Sequence, residues 1–403
     1  MSLSRGRHSE SSEIVVEIDI QRYARHISLP QVGLEGQRKL SAARILVIGA
    51  GGLGSPVLLY LAAAGIGTVG IVDHDRVDLS NLQRQVLHST SNIGESKVNS
   101  AKSRLLQLNP ELKVQVFDLQ LNPETVQSVF ETNWDVVIDG CDNLPTRYLV
   151  DDICFLKKIP WVYGSIYRFE GQISVFNFHE GPCYRDLFSE PPPPNSIPSC
   201  EQGGVLGVLP GVVGSLQANE AIKIILGIGE VLAGRLLIYD AEAMNFQTLT
   251  FSANSDRPTV KDLSMSKSMF DDEQWCMRAP VGDVDEGDAS TLELMFNSVT
   301  VKQLLERRAS GWNPFILDVR SEGEYAQTKV KSTDFQIGHE SVTTAVDSIP
   351  KDRDVVVLCR SGMRSQMAAM FLIQAGYASE SLFNLEGGIM AWEAVAPDEV
   401  TRN

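Results

Sequence analysis

The chain has 403 residues, 43% of them apolar and 21% charged, with a formal net charge of −16, enough for two or three ordinary globular domains. That acidity argues against nonspecific binding to nucleic acid or an anionic membrane surface, and no apolar run reaches the roughly 18–20 residues needed to span a bilayer. The start of the chain is polar and charged rather than a secretory leader, and six cysteines, at 141, 154, 183, 200, 276 and 359, do not make a small disulfide framework, which fits a reduced, cytoplasmic setting with one or two reactive thiols.

Residues 1–17 read as a disordered polar tail, and a first domain as 18–251. Within it Arg44 to Ile48 predicts a strand, Gly54 to Ala64 a helix and Thr68 to Val72 a strand. Lys97 to Leu108 predicts a helix, and Lys113 to Phe117 and Val136 to Asp139 predict strands. Strands alternating with helices imply a parallel sheet covered on both faces, a Rossmann-like α/β arrangement. Gln172 to Phe178 alternates as an antiparallel strand does, so the sheet is expected to be mixed. Pro191 to Pro194 makes a stiff spacer beside Asn195 to Gly204, and Val212 to Leu226 predicts a helix closed by Gly227 and Gly229. Periodicity fades over 252–292, read as a linker. A second, small α/β domain is expected over 293–398, with helices at Val299 to Ala309 and Ser365 to Ala375 and strands at Pro314 to Val319 and Asp354 to Leu358.

Gly49-Ala50-Gly51-Gly52-Leu53-Gly54 follows a strand and opens a helix, and Asp73 ends the next strand 19 residues after Gly54. The glycines permit a tight turn and close approach of the backbone to phosphate, with the helix N-terminus facing the anion. Asp73 is placed to accept hydrogen bonds from a ribose. An NAD or FAD oxidoreductase carries the same pattern, and so does a packing turn without a ligand. The residues that follow differ from a dehydrogenase. Ser80-Asn81-Leu82-Gln83-Arg84 and then Lys97 bring cations towards the phosphates. Asp142 and Asn143 lie at the C-terminal end of a strand, where open α/β sheets place ligands, and Asp142 can hold Mg²⁺ on a triphosphate. Cations, Mg²⁺ and no hydride-handling group suit nucleotidyl transfer from ATP, in which the work is electrostatic.

These residues resemble the MoeB/ThiF family of adenylating enzymes, relatives of the ubiquitin-activating enzymes. The matching segments are Arg22-Tyr23-x-Arg25-His26, Gly49 to Gly54, Ser80 to Arg84, Lys97, Asp142-Asn143, Arg168-Phe169-Glu170-Gly171-Gln172 and Pro198 to Gly207. The resemblance implies that ATP is attacked by the C-terminal Gly-Gly carboxylate of a small ubiquitin-like sulfur carrier. It places Gly52, Asp73, Ser80, Asn81, Leu82, Gln83, Arg84, Lys97, Asp142 and Asn143 at the nucleotide. It also implies a homodimer in which Arg25 reaches the partner's triphosphate. Cys200, before two glycines, takes the position of the cysteine that forms a thioester or disulfide with the carrier. Many relatives hold zinc with two Cys-x-x-Cys pairs. Here Cys183 stands alone, Asp186 occupies the second position, and Thr250 to Thr259 has no cysteine. One thiol cannot hold tetrahedral zinc, so no zinc is expected, with packing or a salt bridge in its place; the same departure, with Tyr184-Arg185-Asp186 before the proline run, resembles the MoeZ type of fused enzyme. Cys276 reads as structural or docking.

The last segment resembles a rhodanese domain through Leu317-Asp318-Val319-Arg320, Glu324-Tyr325, Cys359-Arg360-Ser361-Gly362-Met363-Arg364 and Leu385-Glu386-Gly387-Gly388-Ile389. A thiol between a strand and a helix N-terminus, among backbone N–H groups and two guanidiniums, is favoured as an anion, and the same cradle suits a persulfide. The stretch Ala326 to Val346 keeps Gly338-His339 but departs from the usual order. Cys359 is expected to take sulfur from a cysteine desulfurase or thiosulfate and pass it to the adenylated carrier, giving a thiocarboxylate, with catalytic roles for Cys359, Cys200, Arg25 and Asp142. Two rivals are an enzyme that conjugates its carrier to proteins through a Cys200 thioester, and a dinucleotide-dependent oxidoreductase with a regulatory rhodanese module.

Overall fold

The computed structural model describes residues 18–189, 204–254, 257, 259–271, 296–360 and 362–402. The expected tail, the proline spacer, Cys200, Cys276, Ser361 and most of the expected linker lie outside the described residues. The chain divides into two compact units, the first extending to Phe270.

In the first unit the described strands form a sheet in the order β3-β2-β1-β4-β5-β6-β7-β8. β1 (Arg44–Ile48), β2 (Thr68–Val72), β3 (Lys113–Phe117), β4 (Val136–Asp139) and β5 (Trp161–Tyr167) run parallel. β1, β2 and β4 are near-continuous apolar runs because both their faces are covered. Val47 pairs with Ile71 on one side and Ile138 on the other. β6 (Glu170–Phe176), β7 (Arg235–Asp240) and β8 (Asn245–Thr250) continue antiparallel, so the sheet is mixed, as expected. Strand order reverses between β1 and β4, and the loops after these two strands face one crevice.

The helices Gly54–Ala64 and Leu209–Leu226 are apolar nearly all round and pack together. A Cβ on Gly214 would stand 2.5 Å from Leu53 O and from Pro56 Cγ. Ser96 caps the helix Lys97–Leu108, accepting from Asn99 N–H at 3.4 Å. Asn143 caps the helix Leu144–Lys157, accepting from Thr146 N–H at 3.0 Å, with Pro145 in its first turn. That helix, β7 and β8 are absent from the sequence reading. A further helix, Ser264–Asp271, forms within the stretch read as linker; its Met269 is buried, as is Val260 before it.

The second unit holds a parallel sheet of β12 (Phe335–Gln336), β10 (Phe315–Asp318), β13 (Val355–Leu358), β14 (Leu382–Leu385) and β9 (Asn297–Val299), in that spatial order. Val299, expected to open a helix, ends β9. Thr300 and Gln303 then form a capping box, and the helix runs Val301–Ala309. The departing stretch 326–346 is tied in by β11 (Thr328–Val330), which pairs antiparallel with the last strand, β15 (Val400–Arg402). Val330 and Val342 in this stretch are buried core residues. No described helix is long and apolar enough to cross a membrane.

Candidate functional site

The glycine loop turns tightly against the loop after β4. Gly49 has φ +93, and a Cβ there would lie 2.7 Å from Gly140 O. Only glycine satisfies both conditions. A Cβ on Gly52 would stand 3.3 Å from Pro210 and 3.6 Å from Arg84 Cγ, so Arg84 leans over the loop. Its guanidinium donates to Ser80 O at 3.2 Å. The short turn Leu79–Asn81 is fixed by Asp78, whose carboxylate accepts from Ser80 N–H at 2.8 Å and Ser80 Oγ–H at 2.6 Å. Leu82 is half-buried and Gln83 exposed. Gly207 packs on Gln83, touching its carbonyl and side-chain oxygens at the position a Cβ would need.

Asp73 already holds two amides. Its Oδ2 accepts from Ala50 N–H at 2.8 Å and its Oδ1 from Asp75 N–H at 2.9 Å. The acid expected at a ribose therefore fixes the glycine loop. Lys97 is buried, and its ammonium sits 2.8 Å from Asp75 Oδ2. Asp73, His74 and Asp75 bring one ligand atom each within 4.8 Å of one another, but the Lys97 cation lies on one of these carboxylates. Asp142 is exposed at the crest of the neighbouring loop. Beneath it Cys141 N–H donates to Asp139 Oδ1 at 2.9 Å. Arg147 Nε donates to Asp139 Oδ2 at 2.9 Å, and its Nη2 donates to Cys141 O at 3.2 Å and Gly164 O at 3.3 Å. The sequence reading passed over Arg147, although it lies four residues beyond Asn143, one helical turn along. Arg25 lies exposed on the short helix Ala24–Ile27.

At Cys183 the structure places an ion pair. Asp186 accepts from Cys183 N–H at 2.7 Å, from Asn254 N–H at 2.8 Å and from Arg257 Nε at 2.7 Å. Burial, then the Asp151 and Asp186 charges, push the Cys183 thiol up.

In the second unit Cys359 follows β13 and is 1% exposed. Gly362 N–H donates to its Sγ at 3.1 Å and Ser365 Oγ lies 3.4 Å away. Ser365 Oγ also reaches Asn384 Oδ1 at 2.6 Å. Gly362 has φ +105 and precedes the helix Met363–Gln374. The Gly387-Gly388-Ile389 marker underpins this loop: Ile389 N–H donates to Cys359 O at 2.9 Å and Met390 N–H to Arg360 O at 3.2 Å. A side chain on Gly388 would strike Cys359 O. Arg360 is half-buried, and Arg364 is held by Glu324 at 2.7 Å. Ser365 and Asn384 carry no role in the sequence reading, and Glu324, there a marker of the resemblance, emerges as the partner of Arg364.

Two constellations emerge: a glycine-rich loop at a helix N-terminus with Arg84 over it, near a buried Lys97, and a thiol that accepts from a backbone amide. Residues 23–259 match the model of the ThiF family and residues 300–395 that of the rhodanese-like domain. The chain is 41% identical to the probable adenylyltransferase/sulfurtransferase MoeZ of Mycobacterium tuberculosis, over 99% of this chain and 100% of that one. It is 49% identical to the sulfur carrier protein adenylyltransferase of Thermus thermophilus, over 64% of this chain and 97% of that one. It is 38% identical to the adenylyltransferase and sulfurtransferase MOCS3 of Aedes aegypti, over 93% and 86%. Among solved structures, Escherichia coli MccB with ATP aligns with a TM-score of 0.51 at 22% identity, covering 59% of this chain and 74% of that one, a likeness of fold.

Proposed function

The chain belongs to the ThiF family and carries a rhodanese-like domain in its C-terminal part, and on that premise we propose that it adenylates the C-terminal Gly-Gly carboxylate of a ubiquitin-like sulfur carrier with ATP and then converts it to a thiocarboxylate. It is an adenylyltransferase and sulfurtransferase, the pair of activities named in a 41% identical relative that spans the chain. The observation that carries the reading is the presence in one chain of both the Gly49–Gly54 loop with Arg84 and Lys97 and the Cys359 cradle.

The loop amides, Arg84 and Lys97 receive the triphosphate, with Lys97 leaving Asp75 for the phosphates. Asp73 receives the ribose. The exposed carboxylate of Asp142 suits Mg²⁺, which is bound by one or two carboxylates together with substrate phosphates. Ser80, Asn81, Leu82, Gln83 and Asn143 shape the pocket. Arg25 serves the site of a partner in a homodimer. The carrier carboxylate displaces pyrophosphate to give an acyl-adenylate.

The Cys359 thiolate attacks the outer sulfur of a cysteine desulfurase persulfide or of thiosulfate; the new S–S bond makes the Cys359 persulfide, and the donor's S–S bond breaks with its electron pair leaving on the desulfurase thiolate or on sulfite. The terminal sulfur of the Cys359 persulfide attacks the acyl carbon, forming a C–S bond while the C–O bond to AMP breaks. A second thiolate, assigned to Cys200, then attacks the Cys359 sulfur of the acyl disulfide. The S–S electron pair leaves on the carrier as a thiocarboxylate, and a Cys200–Cys359 disulfide remains for an external dithiol to reduce. The test is Cys359→Ala in the full chain, with a carrier captured by its Gly-Gly end in the presence of ATP. ATP–pyrophosphate exchange should persist while thiocarboxylate, read by mass spectrometry, disappears. Normal thiocarboxylate formation by this variant with a protein sulfur donor would overturn the relay. An isopeptide-linked carrier would instead favour conjugation.

A further inference from the structure

His88 follows the Ser80–Arg84 motif by one turn of chain and has no part in the chemistry above. It is 7% exposed, and both of its ring nitrogens are engaged. Nε2 lies 2.9 Å from Ala50 O, and Nδ1 lies 2.8 Å from Ser100 Oγ. A carbonyl only accepts, so Nε2 carries the proton and Nδ1 accepts from the Ser100 hydroxyl. Burial, with the nearby Lys97 charge, holds the ring below the usual histidine range, against the Ala50 hydrogen bond and the Asp73 and Glu95 charges. The neutral tautomer required by the geometry is therefore the favoured one.

The two ends of this bridge belong to the two halves of the triphosphate site. Ala50 is fully buried in the glycine loop, and its N–H is already pinned by Asp73. Ser100 is 1% exposed and sits three residues after Lys97 on the same helix. The bonds close a ring: Ala50 to Asp73, Asp73 to Asp75, Asp75 to Lys97, along the helix to Ser100, then through His88 back to Ala50. Rotation of the Ala50 peptide would re-aim the loop amides, and a shift of the helix would carry Lys97 with it. His88 resists both.

We propose that His88 is a positioning residue for adenylation, bracing the phosphate loop against the Lys97 helix so that the loop amides and the lysine address the same triphosphate. This rests on the ATP reading given above. Its signature is selective: loss of the brace weakens binding of the triphosphate more than that of a nucleotide lacking the β- and γ-phosphates.

The experiment is calorimetric titration of the full chain with Mg·ATP and with AMP, each variant checked by thermal melting. His88→Asn retains a partner for Ser100 but not for Ala50. It should weaken Mg·ATP about ten-fold, the effect of roughly one hydrogen bond, and AMP by less than about three-fold. His88→Gln, whose amide reaches the Nε2 position, should restore Mg·ATP to within about three-fold of wild type. Ser100→Ala, which cuts the outer bond alone, should shift Mg·ATP in the same direction by about three-fold. Wild-type affinity in folded His88→Asn, or equal losses of ATP and AMP in both histidine variants, would overturn the proposal. Failure of the wild type to bind Mg·ATP would overturn the adenylation reading itself, and this inference with it.

Discussion

Arg364 meets Glu324 at two points, Nη1 to Oε2 at 2.8 Å and Nη2 to Oε1 at 2.7 Å. The second guanidinium of the thiol loop is thus bound to a carboxylate on the helix Glu322–Gln327, which also ties that helix to the loop. Burial raises the Glu324 carboxyl, but the hydrogen bonds and charge of Arg364 outweigh it and hold the group at about 2, against an ordinary 4.5. A carboxyl depressed in the fold stabilises above its unfolded value, and the contribution is lost as pH falls from there through the folded value. Glu324→Gln should therefore be less stable than wild type at pH 7 by about 1–2 kcal/mol, allowing for partial exposure. The gap should close between about pH 4.5 and 2. Urea unfolding of both proteins across that range checks this. A gap independent of pH would refute it.

Among the described residues, the polar groups that meet Cys359 Sγ are the Gly362 amide and the Ser365 hydroxyl. Ser365 is fully buried, and its one proton is shared among Asn384 Oδ1 at 2.6 Å, Gly362 O at 2.9 Å and the sulfur at 3.4 Å. An anionic sulfur draws that proton more strongly than a thiol does. Ser365→Ala should slow alkylation of Cys359 by iodoacetamide at pH 7 about three- to ten-fold without unfolding the domain. Peptide mass spectrometry over a time course gives the rate. Unchanged alkylation would remove the hydroxyl from the account.

What the sequence disclosed, and what it withheld, follows from chain distance. Parallel strands are runs such as Ile45–Ile48, legible because both faces are buried. The glycine loop and Cys359 loop are legible because their chemistry is contiguous. The helix begins at Val301 rather than Val299, and the capping-box signature Thr300-x-x-Gln303 marks that start. The helix after Asn143 also carried its signals, an asparagine cap and Pro145. The partners of the charged site residues could not be read. Asp75 meets Lys97 across 22 residues and Glu324 meets Arg364 across 40. Any of the chain's acids would have served on composition alone.

The Asp186–Arg257 pair makes the expected substitute for a metal into a measurable one. Asp186 is wholly buried, Arg257 is 21% exposed, and the guanidinium also lies over the Phe155 ring at 4.8 Å. Removing one partner leaves a buried carboxylate with its charge uncompensated. Arg257→Ala should cost about 2–4 kcal/mol, seen as a lower melting temperature, while Arg257→Lys should recover part of it. Treatment of the wild type with a strong chelator should leave the melting temperature unchanged. A chelator-sensitive transition would show that a metal, not this pair, holds the segment.

Asp151 gives a pH dependence of the opposite sign. Its Oδ1 accepts from Trp161 Nε1–H and Tyr184 N–H, each at 3.0 Å. Its Oδ2 is buried without a hydrogen-bond partner among the described residues. Burial pushes the carboxyl up to about 6 from 3.8, with the Asp152 charge adding to the effect and the Tyr184 and Trp161 hydrogen bonds opposing it. A carboxyl raised in the fold binds more protons folded than unfolded between those values. The native state accordingly loses stability as pH rises through about 6, and above it the ionised group is a burden. Asp151→Asn keeps an acceptor for Trp161 and Tyr184 and carries no charge. Relative to wild type it should gain up to about 3 kcal/mol as pH rises from 4 to 7. Paired denaturation curves at pH 4, 5, 6 and 7 measure the change. A constant difference across the series would mean that Asp151 does not titrate in this range, and that its unpartnered oxygen is satisfied in solution.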